Sequence, residues 1–327
     1  MALKDYNILF LGGAKRVSMA RLFQSAGQRI GLNVNIFGYE LDTRVPLAAV
    51  GKIIVGRKWR DTDLYQHLHG TIEDYSIDLL VPFVDPAVGV CARYVQKYGD
   101  VKSATGSVEL SDGMFDKAVA DRLFRDNQIP VPAKFDVGNP SFPIIAKPRT
   151  GSASKGIYVI RNREELMHLS LPENEYLMQE FIDGAEEFTV DCYVSDKGDA
   201  QAVVPRKRID VIGGEVNVTE TVSDSKLISL SNQILKSLGL RGPVTLQFLH
   251  DPADGRYLLM EINPRLGGGC VCSVYAGADI PGLILSNALG KNMPVQNVWR
   301  PGVRMTRYMQ QVVFDPDGRY IPEPLHD

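Results

Sequence analysis

Two short apolar runs in the C-terminal half carry oxygen-bearing side chains at strand spacing. They are Val244-Thr245-Leu246-Gln247-Phe248-Leu249 and, beyond the turn Asp251-Pro252-Ala253-Asp254-Gly255, Tyr257-Leu258-Leu259-Met260-Glu261-Ile262-Asn263-Pro264-Arg265. Alternate residues of a strand share a face, so Glu261 and Asn263 project together. A hairpin centred near Asp254 brings Gln247 opposite Glu261. One carboxylate and two amide oxygens form a hard ligand set suited to Mg²⁺ or Mn²⁺ shared with phosphate and water. A metal so held would offset the charge that builds up in phosphoryl transfer. The competing reading is a solvated hairpin face. Against it stand the apolar neighbours and the run Pro264-Arg265-Leu266-Gly267-Gly268-Gly269, whose backbone can approach a ligand closely and whose guanidinium can clamp a carboxylate or phosphate.

A second group lies upstream. Pro143-Ile144-Ile145-Ala146-Lys147-Pro148 reads as a buried strand ending in a lysine, followed by Gly151-Ser152-Ala153-Ser154-Lys155-Gly156 and another strand. Glycines let successive N–H groups point at one anion, Ser152 and Ser154 add hydroxyl donors, and Lys147 and Lys155 supply charge. Such a loop can close over nucleotide phosphates, or it is a hairpin connection with incidental lysines. It is not a Walker loop, because GxxxxGK[ST] is absent. A third piece, Tyr176-Leu177-Met178-Gln179-Glu180-Phe181-Ile182-Asp183-Gly184-Ala185-Glu186-Glu187, reads as a strand entering an acidic loop. That arrangement suits an adenine edge and ribose hydroxyls, but it is also common in proteins without either ligand.

The elements that must position these groups fall into two styles. In the first third, Asn7–Leu11, Val34–Gly38, Ile53–Val55, Asp78–Val81 and Val101–Ala104 alternate with amphipathic stretches, which predicts a parallel α/β sheet. Ser111-Asp112-Gly113 is expected to cap one helix running to about Gln128, stopped by Ile129-Pro130-Val131-Pro132. From Phe142 the pattern is α+β, with turns at Asp196-Lys197-Gly198-Asp199 and around Asp254 between strands. Helices are expected from Ser225 to Leu238 and from about Val274 to Leu289, each ended by a glycine. Boundaries are placed near residue 110 and residue 295. Residues 1–110 form an α/β domain, 111–295 a two-lobed domain with a lid lobe at about 133–182, and 296–327 a C-terminal strand and tail.

Composition excludes several classes. With 36 basic and 39 acidic side chains and a net charge of -3, no global field would draw the chain to a nucleic-acid backbone. The four cysteines form no CxxC pair, so structural zinc is not expected, and free thiols fit a reducing cytoplasm. The N-terminal residues lack the order of a signal peptide, and no apolar run approaches a membrane span. Neither a Gx-Ser-xG elbow nor a Cys/His pair offers a nucleophile.

In their order along the chain, these pieces resemble the ATP-grasp superfamily, in particular stand-alone proteins similar to one half of the carbamoyl-phosphate synthase large subunit. The resemblance covers nearly the whole chain. It implies a parallel-sheet pre-ATP-grasp domain, with Leu79-Leu80-Val81-Pro82-Phe83-Val84-Asp85 as its end-of-strand segment, followed by a two-lobed ATP-grasp fold. It implies that Lys117 and Lys147 contact nucleotide phosphates, with Lys147 and Arg265 catalytic. Gly151 to Gly156, including Ser152, Ser154 and Lys155, would be the phosphate-covering flap. The segment Gln179-Glu180-Phe181-Ile182 would be the hinge that holds adenine, and Glu187 would hold the ribose. Gln247, Glu261 and Asn263 would hold the metal, the last two within an E-x-N-P-R motif. The substrate end is expected among Gly267, Gly268, Arg206, Arg208 and Asp85, with Arg206-Lys207-Arg208 alternatively an exposed charged strand.

The implied activity is an ATP-dependent carboxylate–amine or carboxylate–thiol ligase that forms an acylphosphate, acting on small molecules with ATP and Mg²⁺. The chain holds one grasp unit where the synthase subunit joins two, so the acid, the nucleophile and any amidotransferase partner stay open. A homodimer through the first domain is the expected closed assembly. Competing classes are phosphorylation of bicarbonate or carbamate with a partner chain, a nucleotide-binding protein without turnover, and an NAD(P)-dependent oxidoreductase. The last is suggested by Leu11-Gly12-Gly13 and Glu40, although the GxGxxG fingerprint is incomplete.

Overall fold

The computed structural model describes residues 3–136, 138–151, 155–172, 174–291 and 298–322. The first unit comprises β1 (Lys4–Leu11), α1 (Val17–Arg29), β2 (Leu32–Glu40), β3 (Lys52–Val55), α2 (Leu64–Asp74), β4 (Leu79–Pro82), α3 (Asp85–Tyr98) and β5 (Lys102–Ser103). Its sheet is parallel throughout, in the order β3-β2-β1-β4-β5. Side chains of β1 alternate between two cores. Tyr6, Ile8 and Phe10 pack with α1, while Leu9 and Leu11 pack with α2 and α3. A strand buried on both faces reads as a continuous apolar run, which Ile8-Leu9-Phe10-Leu11 is.

The expected helix from Ser111 to Gln128 is two helices, α4 (Val108–Phe115) and α5 (Lys117–Asp126). Ser107, not Ser111, caps α4 by accepting from Leu110 N–H. Asp116 has extended backbone, and its carboxylate accepts from the N–H groups of Ala118 and Val119, so it ends one helix and starts the next. The small lobe follows: β6 (Ile144–Pro148), β7 (Tyr158–Ile160), α6 (Arg163–Leu169) and β8 (Tyr176–Glu180), with antiparallel strand order β7-β6-β8.

The large lobe is built on β9 (Glu186–Val194), β10 (Ala200–Ile212), β11 (Glu215–Thr221), α7 (Ser225–Ser237), β12 (Gly242–His250), β13 (Tyr257–Asn263), α8 (Cys270–Tyr275) and α9 (Ile280–Ala288). The helix expected from Val274 to Leu289 is broken between α8 and α9. Gly277 has φ +119 and sits where an added Cβ would be 2.7 Å from Val298 O, and Asp279 caps the second piece. Beyond them β14 (Arg304–Thr306) pairs with β11 and completes a sheet ordered β13-β12-β9-β10-β11-β14, while β15 (Val313–Phe314) and β16 (Tyr320–Ile321) form a separate hairpin.

One face of the six-stranded sheet packs on α7 through Phe188, Val190, Val203, Leu246 and Phe248. Its other face is polar near the middle. There Arg206, 1% exposed, is held bidentately by Asp191, with Nε to Oδ2 at 2.7 Å and Nη2 to Oδ1 at 3.1 Å; it also donates to Thr219. Ser273 adds a hydroxyl to Asp191 at 2.5 Å. Arg206 is therefore not part of an exposed charged strand. Removing one partner of such a pair leaves an uncompensated charge away from water, so Asp191→Ala is expected to lower unfolding stability by about 3–5 kcal/mol. Urea denaturation measures this, and the paired change Asp191→Leu with Arg206→Met should cost less than either single change.

Candidate functional site

A cleft of about 660 Å³ lies between the two lobes and the carboxyl end of β4. Its lining gathers Asp85, Lys117, Lys147, Lys155, Glu180, Phe181, Ile182, Glu187, Arg206, Arg208, Gln247, Glu261, Asn263, Arg265, Gly267 and Gly268. Ser152 and Ser154 lie outside the described residues. Gly156 turns the chain at φ +71 against Pro148, outside that lining.

The oxygen trio depends on a bulge that the alternation argument did not include. Gln247 pairs with Glu261, but Phe248 pairs with Leu259, so Met260 is the extra residue. This puts Leu259 into the core beside Phe248 while Glu261, two residues on, turns to the cleft with Gln247. Beyond the bulge Ile262 is core and Asn263 faces the cleft. Asn263 Nδ2 donates to Glu261 Oε1 at 2.5 Å, and Arg265 Nη2 donates to Asn263 Oδ1 at 3.1 Å. Arg265 Nε donates to Asp85 Oδ1 at 2.6 Å, which ties the motif to the first residue of α3. Among the described residues no group of three or more His, Cys, Asp and Glu could hold a metal. A single carboxylate with two amides fits an ion that takes most of its charge from phosphate oxygens, as Mg²⁺ beside a nucleotide does.

The cations are held from behind. Lys147 is 9% exposed, and its Nζ donates to Gln179 Oε1 at 3.4 Å; Gln179 Nε2 in turn donates to Asp121 Oδ1 at 2.9 Å. Gln179 is thus a buried support for the lysine and stands outside the cleft lining, which Glu180 enters. The Glu180 carboxylate accepts from Ala133 N–H at 2.8 Å, and Glu180, Phe181 and Ile182 all line the cleft. Lys117 opens α5, where Arg149 binds the Asp116 cap at 2.5 Å; its own Nζ donates to Gly151 O at 2.9 Å. That contact fastens the start of the glycine loop to the helix.

The two remaining arginines of the expected substrate end are engaged. The fork of Arg206 is taken by Asp191, so it supports the sheet beneath Gly269, where an added Cβ would be 2.6 Å from Arg206 Nη1. Arg208 Nε lies 2.8 Å from Glu187 Oε2, at an angle that makes no hydrogen bond, and the atom is otherwise unpartnered and buried. Lys207 pairs with Glu186. Sequence reasoning missed Arg16, Thr189 and Glu215, which also line the cleft; Arg307, which reaches it through Gly268, lies in the basic run Val303 to Met309 that reads from sequence either as an edge of the substrate pocket or as a strand closing a sheet. Arg16 had a signal in its place three residues after Gly13, and Arg307 in the basic run at the edge of the chain's large sheet.

Burial pushes the Lys147 ammonium below the usual lysine range; nearby Glu261 opposes this and Lys117 adds to it. A native pKa below the unfolded value means that, between the two, the unfolded chain binds more protons. The contribution of Lys147 to stability therefore rises with pH across that window. Comparing wild type with Lys147→Met by urea denaturation, the stability difference should shift in favour of wild type as pH rises from about 8 to about 10.

Comparisons with known proteins bear on the fold and on the family the chain is similar to. Residues 172–311 match the family model described as ATP-grasp in the biosynthetic pathway with Ter operon. The carbamoyl phosphate synthase large chain of Ralstonia nicotianae is 24% identical over 243 residues, covering 68% of this chain and 22% of that protein. The chain thus spans under a quarter of that relative's length. Among solved structures, the β-γ-ATP complex of biotin carboxylase from Campylobacter jejuni superposes with TM-score 0.73 at 19% identity, covering 91% of this chain and 74% of the other. An L-amino acid ligase from Bacillus licheniformis gives 0.68 at 18% identity, covering 88% and 74%.

Proposed function

We propose that this chain, whose fold is the ATP-grasp fold and which carries an ATP-grasp domain, is an ATP-dependent ligase that joins a small carboxylic acid to an amine or thiol. The observation that carries the reading is the meeting, in one cleft, of Gln247, Glu261 and Asn263 with the desolvated Lys147 and with Lys117. Two ammonium groups beside a sparsely charged oxygen set suit a triphosphate with its metal, and the Phe181–Ile182 backbone suits an adenine edge. Mg²⁺ held by Glu261, Asn263 and Gln247 would supply charge neutralisation at the phosphates.

In the reaction a carboxylate oxygen attacks the γ-phosphorus, the bond to the bridging oxygen breaks, and ADP leaves with that electron pair. The amine or thiol then attacks the acyl carbon, the carbon–oxygen bond to phosphate breaks, and phosphate leaves. Lys147, Lys117 and Arg265 hold the transferring and departing oxygens in place, and positioning with charge stabilisation supplies most of the rate. Arg265, steadied by Asp85 and Asn263, has its planar fork at the joint between nucleotide and substrate ends. Exclusion of water from the cleft during the reaction would protect the acylphosphate from hydrolysis.

The oxidoreductase alternative has less support. Glu40 lies against the N–H groups of Gly13 and Ala14, with its carboxyl raised to about 7 by burial, and these residues lie apart from the lining of the cleft. A thermal-shift comparison is expected to give stabilisation by Mg-ATP and none by NAD or NADP; the reverse would remove the ligase reading. In an ADP-release screen across paired acids and amines, Glu261→Ala should lower turnover by about 10²-fold or more with its circular dichroism unchanged. Tight Mg-ATP binding with no ADP released from any pair would point to a binding protein instead.

A further inference from the structure

Three guanidiniums crowd together beside the glycine run at the cleft wall, and each comes from a different part of the fold. Arg16 directly precedes α1, Arg307 directly follows β14, and Arg265 ends the motif after β13. The first two share one small patch of backbone. A Cβ added to Gly268 would be 2.7 Å from Arg307 Nη2 and 3.0 Å from Arg16 Nη1, and Arg307 Nη2 donates to Gly268 O at 2.7 Å. Between them sits one carboxylate. Glu215 Oε1 accepts from Arg16 Nη2 at 3.2 Å and Glu215 Oε2 from Arg307 Nη1 at 2.5 Å.

Exposure within this trio runs opposite to that of an ordinary surface pair. The acid is the more exposed partner, at 53% of its side chain, while Arg16 is at 19% and Arg307 at 30%. Glu215 also opens β11 right after the Gly213–Gly214 turn, on the tip of a hairpin that forms part of the cleft wall. The other charges at this end are matched one to one, Arg265 with Asp85 and Arg208 with Glu187. Arg16 and Arg307 share a single acid, which leaves one positive charge over. Burial, with Arg307 and Arg265 nearby, disfavours the charged form of Arg16, and Glu215 offsets this. A bidentate oxyanion would relieve that crowding more fully than one mobile side chain does.

We propose that Arg16 and Arg307 form a subsite for a second oxyanion on the substrate, a carboxylate or phosphate distinct from the carboxylate that reacts, and that Glu215 holds this place until the substrate displaces it. The ligase's acid is then at least a dianion, not a simple monoacid. The proposal rests on the ligase reading only for the use of the cleft, because anion binding itself needs no turnover.

The test is calorimetric titration of the full chain at constant ionic strength with succinate, 3-phosphopropionate and butyrate, alongside a separate titration with Mg-ADP. Succinate or 3-phosphopropionate should bind about tenfold or more tightly than butyrate, and the better of the two identifies the preferred oxyanion. Arg16→Gln and Arg307→Gln should each abolish that preference while Mg-ADP affinity holds, and Glu215→Gln, at an exposed side chain, should strengthen dianion binding. Equal binding of butyrate and both dianions, no binding of any, a preference that survives in both arginine variants, or weaker dianion binding by Glu215→Gln would overturn the proposal. Loss of Mg-ADP binding with the dianion preference intact would overturn the ligase reading alone.

Discussion

A lysine ammonium held almost out of water is the constraint around which the cleft is arranged. Burial disfavours the Lys147 ammonium there, the facing Glu261 opposes this, and the Gln179–Asp121 relay supports the side chain from behind. Each of those groups is fixed by a separate device. Glu261 faces inward because of the bulge at Met260, Gln179 because β8 pairs with β6, and Asp121 because Asp116 starts a new helix one turn before it. The small lobe, the large lobe and the connecting helices therefore meet at one electrostatic point, and a nucleotide's phosphates would be the natural completion of it.

Much of this was legible from residue order. Strand alternation placed Glu261 and Asn263 on one face, and the turn at Asp254 set Gln247 opposite Glu261, as the register has it. The parallel sheet of the first unit followed from the alternation of short apolar runs with amphipathic stretches. What alternation could not supply was the bulge, since Leu259 and Glu261 have the same parity and yet face opposite sides. A bulge is set by how two strands fit across the ladder, and neither strand's own sequence marks it.

The other misses share that character. Ser111-Asp112-Gly113 looked like a cap because the local pattern favours one, but Asp116 is the residue that Arg149, distant in sequence, holds in capping position. Arg206-Lys207-Arg208 was weighed as pocket or exposed strand, and it splits by face: Arg206 buried on Asp191, Lys207 on Glu186, Arg208 beside Glu187. Arg16 had only its place shortly after Gly12-Gly13, and Arg307 only its basic run, to point to the cleft. Their proximity arises only when β14 joins β11 and the loop after β1 meets the glycine run.

The hydrophobic interior also has a bearing on how such chains can be recombined. Phe23 and Ala26 of α1 share one core with Ile280, Leu283 and Ile284 of α9, and Arg29 reaches Asp279 at 2.7 Å. A boundary drawn near residue 110 separates two sheets but cuts through this packing. A chimera that exchanged the N-terminal sheet for a homologous one would have to bring a matching α9 with it, or else bare apolar helix to solvent at the graft. The unit of modular exchange in this fold is therefore discontinuous along the chain.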